Sequence, residues 1–223
     1  MTARRILVIN PNSNEAVTDG LREAVAGLVS PGRLEVTCET MQDGPFGLET
    51  QAHVDGVVML LRARVLACSG DNTQAHDAYV IACYSDPGLH ACREVTTKPV
   101  FGIAACGMLA AMARAETFGV IAIRDVSIRR HMRMMRQMGI ISALAGERAL
   151  DMSVAEAASG EGTLDRMIAV GRELRDKDRA QSIVMGCAGM ARHRAPLEQA
   201  LGIPVIDPTQ AAVAMAIGAV AVA

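Results

Sequence analysis

The chain has 223 residues, enough for one large domain or two small ones with a real core. Hydrophobic residues make up 51% and charged residues 21%, and 22 Lys+Arg face 24 Asp+Glu, which excludes a disordered chain and an overall basic nucleic-acid binder. Aromatic residues at 2% exclude base-stacking platforms and aromatic-lined sugar clefts.

The first apolar run, Ile6 to Ile9, is shorter than the roughly seven to fifteen residues of a secretory signal and reads as a strand over 6–10. Asn12-Ser13-Asn14 then supplies N-cap residue types, and Val17, Leu21, Val25 and Leu28 recur at helical spacing. Further strands are expected at 34–38, 79–83, 100–103, 119–123, 140–144, 182–186 and 204–206, with helices between them. One of these helices carries Val54, Val57, Val58, Leu61 and Val65. In another, Arg129, Arg133 and Arg136 form a solvated face opposite Ile128, Met132 and Met135. Before the first of these, Gly44-Pro45-Phe46-Gly47 is a turn or a loop whose Phe46 covers a cleft. The last apolar tract, 211–223, falls short of the roughly 17 residues of a membrane span and reads as a buried terminal helix. The expectation is a soluble, cytoplasmic α/β protein of mainly parallel sheets flanked by helices.

The two halves resemble each other. The strand ending at Cys83 matches the one before Cys187, each is followed by a turn of small residues and a helix, and each helix leads to a Pro-Val strand. Pro99 follows Cys83 by 16 positions, and Pro204 follows Cys187 by 17. This predicts two similar lobes, 1–105 plus 207–223 and 106–206, with the site in the cleft between them.

Ligands of parallel sheets sit outside the carboxyl ends of the strands, where Cys83 and Cys187 fall. If the lobes face each other about a pseudo-two-fold axis, the thiols enter one cleft from opposite sides. That arrangement suits proton removal from carbon by a thiolate on one face and return by a thiol on the other. A helix N-terminus behind each sulfur would lower its pKa, and turn N–H groups would hold an enolate oxygen. Neither a metal nor an organic cofactor is needed. Cys38, Cys68, Cys92 and Cys106 read as small buried hydrophobes. The six cysteines form no C-x-x-C pair and the five histidines no paired spacing, so reduced thiols and no metal site are expected. Asn10 and Ser13, at the end of the first strand, are candidate hydrogen-bond donors to substrate.

The segments Ile6 to Asn14, Cys83-Tyr84-Ser85-Asp86-Pro87-Gly88, Lys98 to Ile103 and Gly186-Cys187-Ala188-Gly189-Met190 resemble the hydantoin and allantoin racemase branch of the aspartate/glutamate racemase superfamily. The resemblance spans nearly the whole chain. It implies cofactor-independent racemisation by Cys83 and Cys187, with Asn10, Ser13, Tyr84, Ser85, Ala122, Ile123, Ala188 and Gly189 around the substrate. In the amino-acid racemase branches the cysteines are followed by Asn-Thr and by Thr, which hold an α-carboxylate. Here Tyr84-Ser85 and Ala188-Gly189 follow, which favours a neutral ring such as a hydantoin. Ala122-Ile123-Arg124 replaces a Thr-containing turn, leaving Arg124 either to select an anionic group or, as is commoner for an Arg at a strand end, to serve as a solvated or structural residue. The alternatives are an aspartate/glutamate-type racemase, a maleate isomerase- or arylmalonate decarboxylase-like enzyme, or a non-enzymatic module gripping a small metabolite. The expected partner is a small molecule rather than nucleic acid or membrane, and the Ala-rich last helix leaves room for contacts in a homo-oligomer.

Overall fold

The structure, a computed structural model, describes residues 3–30, 32–70, 75–159 and 162–222. Its first half runs β1 (Arg4–Asn10), α1 (Glu15–Val25), β2 (Leu34–Thr40), α2 (Gln51–Gly56), α3 (Val58–Ala67), β3 (Ala78–Ile81), α4 (Leu89–Arg93), β4 (Val100–Gly102) and α5 (Ile103–Met112). The second half runs β5 (Phe118–Ala122), α6 (Asp125–Gln137), β6 (Leu144–Ala149), α7 (Val154–Ser159), α8 (Thr163–Asp176), β7 (Ser182–Gly186), α9 (Arg194–Leu201), β8 (Val205–Ile206) and α10 (Pro208–Ala221).

Each half builds a four-stranded parallel sheet, ordered β2-β1-β3-β4 in the first and β6-β5-β7-β8 in the second. Parallel strands require crossover connections, and helices on both faces leave β3, β5 and β7 buried along their whole length. Ile6 and Val8 of β1 pack with Val17 and Leu21 of α1 in a core that continues through Ile103 and Val213 to Ile183 and Met185 of β7. Leu7 and Ile9, on the other face of β1, join Leu61, Val65, Tyr79 and Cys92 under α3 and α4. The last helix, α10, lies on α5 and against β1, β3 and β4. No helix among the described residues is long and apolar enough to cross a membrane.

Local chemistry sets the helix starts. Of the three capping candidates after β1, Asn14 is the one used: its Oδ1 accepts from the Ala16 N–H at 3.0 Å. Asp207 caps α10 by accepting from the Gln210 N–H at 2.7 Å, with Pro208 in the first turn.

Two expected elements differ. The predicted strand 140–144 is replaced by a 3-10 turn, Ile141–Ala143, followed by β6. As an edge strand half-exposed throughout, β6 carries Gly146, Glu147 and Arg148 in place of an apolar run, the polar pattern by which edges resist further pairing. The helix expected across 54–65 is broken at Val57, next to Gly56, into α2 and α3.

Gly186 ends β7 where the backbones of β5 and β7 approach closely, so a Cβ at this position would stand 2.6 Å from the Ile121 carbonyl oxygen. Gly186→Ala is expected to lower unfolding free energy by about 1–3 kcal/mol in urea titrations. Gly218→Ala in α10, where a Cβ meets nothing within 4 Å, is expected to raise it by about 0.5–1 kcal/mol.

Candidate active site

In each sheet the chain leaves its central strand to one side and returns on the other, opening a crevice at the carboxyl ends of β1 and β3 and of β5 and β7. Cys83 stands two residues beyond β3, and Cys187 directly follows β7. Both line one cavity, with Asn12, Ile123, Arg130 and His131 among its other walls. The cavity holds about 30 Å³, room for roughly two waters and too little for a substituted five-membered ring.

The expected depression of the thiol pKa values is reversed. Burial pushes Cys83 up to about 12 and Cys187 up to about 11, because a buried anion loses hydration. The Ser85 N–H bonded to Cys83 and the Gly189 N–H bonded to Cys187 act in the opposite direction and are outweighed. The helix expected to begin just behind each sulfur does not: after Cys83, α4 begins only at Leu89, and after Cys187, Ala188–His193 is a 3-10 helix. The thiols are otherwise unlike. Each is acted on by a charge from the opposite half, Cys83 favourably by Arg130 and Cys187 unfavourably by Glu49, while Cys187 also opposes ionisation of Cys83.

Asp86 fixes the turn that carries Cys83. Its carboxylate accepts the Ala104 and Ala105 N–H groups, each at 2.9 Å, and so caps α5 from a distant part of the chain. Only glycine at 102 leaves room for this, since a Cβ there would stand 2.2 Å from the Asp86 Cγ. Burial raises the Asp86 pKa to about 6 against the pull of those two N–H donors.

Of the substrate-binding residues expected from sequence, Tyr84, Ser85, Ile123, Ala188 and Gly189 line the cavity, whereas Asn10, Ser13 and Ala122 do not. The buried Asn10 amide instead donates to Asn12 Oδ1 and Thr18 Oγ1, each at 3.0 Å, which holds the loop and leaves Asn12 at the cavity wall. Ser13 is held through its backbone, donating to the Pro45 carbonyl at 3.0 Å, and Ala122 is buried within β5. Phe46 is 63% exposed, and the residue of its loop that lines the cavity is Leu48. Arg124 points away to an exposed ion pair with Glu49 at 2.9 Å.

The sequence reading missed one face of α6. Ser127, Arg130 and His131, spaced three and four residues apart, are buried and reach the cavity, while Arg129, Arg133 and Arg136 are exposed as expected. His131 Nδ1 is hydrogen-bonded to Glu147 Oε1 on β6, with both side chains almost wholly buried. The Tyr84 ring meets the imidazole edge-on at 4.9 Å between centroids. Nε2 is left as the ring nitrogen available to a ligand.

Two matched parallel sheets that deliver a thiol each to one interlobe cavity define the class of two-lobed α/β racemases with paired cysteines. A family model described as Asp/Glu/Hydantoin racemase matches residues 6–216, and the chain belongs to that family. It is 35% identical over 210 residues to a hydantoin racemase from Paenarthrobacter aurescens, covering 93% of this chain and 87% of that protein. An allantoin racemase from Klebsiella pneumoniae superposes with a TM-score of 0.90 at 30% identity, over 99% of this chain and 89% of that one. The allantoin racemase of Pseudomonas fluorescens gives 0.90 at 26% identity, over 98% and 91%.

The raised thiol pKa values predict that neither Cys83 nor Cys187 contributes a thiolate step below about pH 9 in the ligand-free protein. Absorbance at 240 nm, compared between the wild type and each Cys→Ser variant across pH 6–11, measures this; a step near pH 7 would contradict it.

Proposed function

We propose that the chain is a cofactor-independent racemase of 5-substituted hydantoins or allantoin, with Cys83 and Cys187 as its acid/base pair. The observation that carries this reading is the meeting of two thiols, from equivalent ends of two sheets, on one buried cavity. The hydrogen on C5 of the ring is acidic because the adjacent carbonyl takes the charge as an enolate. One cysteine, as thiolate, removes that proton from one face. The other, as thiol, gives its proton to the opposite face, so the ring leaves inverted and the two sulfurs have exchanged protonation states. Which sulfur begins as the thiolate depends on the enantiomer bound.

The high thiol pKa values fit this chemistry, since a thiolate disfavoured by its surroundings is a stronger base toward a weakly acidic C–H. Apolar Leu48, Ile123 and Val154 in the walls suit a neutral ring, and His131, oriented by Glu147, presents Nε2 for a polar ring atom. Six free cysteines fit a reducing compartment, which we take to be the cytoplasm.

In deuterated water, the enzyme is expected to exchange the C5 hydrogen of 5-methylhydantoin, 5-benzylhydantoin or allantoin while optical rotation decays without a change of skeleton. Cys83→Ser and Cys187→Ser should each reduce racemisation by about 10²–10⁴-fold with unchanged urea midpoints. Absence of exchange across the panel would overturn the assignment and favour a mere binding module, and wild-type racemisation rates in either variant would overturn the two-cysteine mechanism.

A further inference from the structure

A buried charge without a partner is costly, and Arg130 is one. The residue is only 8% exposed, and its Nε is buried with no acceptor among the described residues. Among the described residues its guanidinium makes a single long contact, 3.4 Å from Nη2 to the Glu49 carbonyl, and no ion pair. Cys83 acts on it first, and favourably only when ionised, then Asp55 and Glu147, all without a hydrogen bond, while Arg133 opposes its charge. Most arginines in this state are held by a carboxylate, as Arg64 is by Glu39 at 2.6 Å. Arg130 instead lines two cavities.

Its position adds a direction. Beside the reaction cavity lies a second one of about 510 Å³, and the two share Ser85 and Arg130 as common walls. His90, Arg93 and Arg133 also line the second cavity. Its one lining carboxylate, Asp86, is turned onto the α5 N–H groups. A group leaving the reaction cavity past Arg130 thus enters a roomier space whose charged side chains are mainly basic.

We propose that Arg130 is a specificity-determining residue that binds an acidic group on the substrate's 5-substituent, and that the second cavity receives the substituent. The favoured substrates are hydantoins of acidic side chains. This rests on the hydantoin racemase reading and refines it: the ring is neutral where the thiols act, and the anion lies one side-chain length away. The guanidinium offers paired N–H donors to a carboxylate, a geometry a lysine does not reproduce.

The test compares kcat/KM for 5-(2-carboxyethyl)hydantoin with that for its near-isosteric amide, 5-(2-carbamoylethyl)hydantoin, and for 5-propylhydantoin. The wild type is expected to prefer the acid over the amide by about 10- to 100-fold, the size of a charge-assisted hydrogen bond. In Arg130→Met that ratio should fall to about one, and Arg130→Lys should restore part of it. A wild-type ratio of one, or an Arg130→Met variant that slows all three substrates in equal proportion, would overturn the proposal. If Arg130→Met does not fold, the Arg130→Lys ratio decides alone, and a ratio equal to the wild type would reject a paired guanidinium contact. C5 exchange with 5-propylhydantoin separates the two readings: its presence with a flat substituent profile rejects this inference alone, and its absence from every hydantoin rejects the racemase.

Discussion

Two thiols meet on one cavity where burial opposes formation of a sulfur anion, and the surroundings of both answer to that constraint. Burial alone would forbid the anion, and each thiol receives one backbone N–H as partial compensation. Those donors lie on short turns, so the turns themselves must be held rigid. Asp86 does this beside Cys83 by tying the turn to the start of α5. Beside Cys187 the close approach of β5 and β7 at Gly186 does it. The capping bond and the glycine are otherwise unrelated features that answer the same demand.

The parts of the fold set by apolar burial were readable from the sequence. Strands buried on both faces appear as uninterrupted apolar runs, and the paired Cys-to-Pro spacings correspond to β3–β4 and β7–β8 at matching places in their sheets. The misreadings have physical causes of their own. An edge strand such as β6 is selected to look polar, and Gly56 weakens a helix whose side-chain periodicity runs straight through the break. Asn10 and Asn12 have the same chemistry two positions apart, and only the direction of the Asn10 amide, inward to Thr18, tells the scaffold from the wall. Arg130 was hidden among the arginines of α6, where charge suggested solvent. The available signal was the Ser127-Arg130-His131 spacing, which places three polar groups on one face between solvent and core.

The loop after β2 ties the lobes together across the cavity. Glu49 receives Arg124 at 2.9 Å through one carboxylate oxygen and the Val154 N–H at 3.0 Å through the other, while its carbonyl meets Arg130. Leu48, its neighbour in sequence, lies in the cavity wall. Glu49 thus links the first lobe to Arg124 and Arg130, which flank and enter α6, and to the start of α7.

The unequal company of the two sulfurs carries a thermodynamic restriction. Mirror-image substrates have identical free energies in solution, so the Haldane relation forces kcat/KM to be the same in both directions whatever Arg130 and Glu49 do. Their opposing fields can be expressed only in how that common ratio is divided, with one enantiomer bound more tightly and turned over more slowly than its reflection.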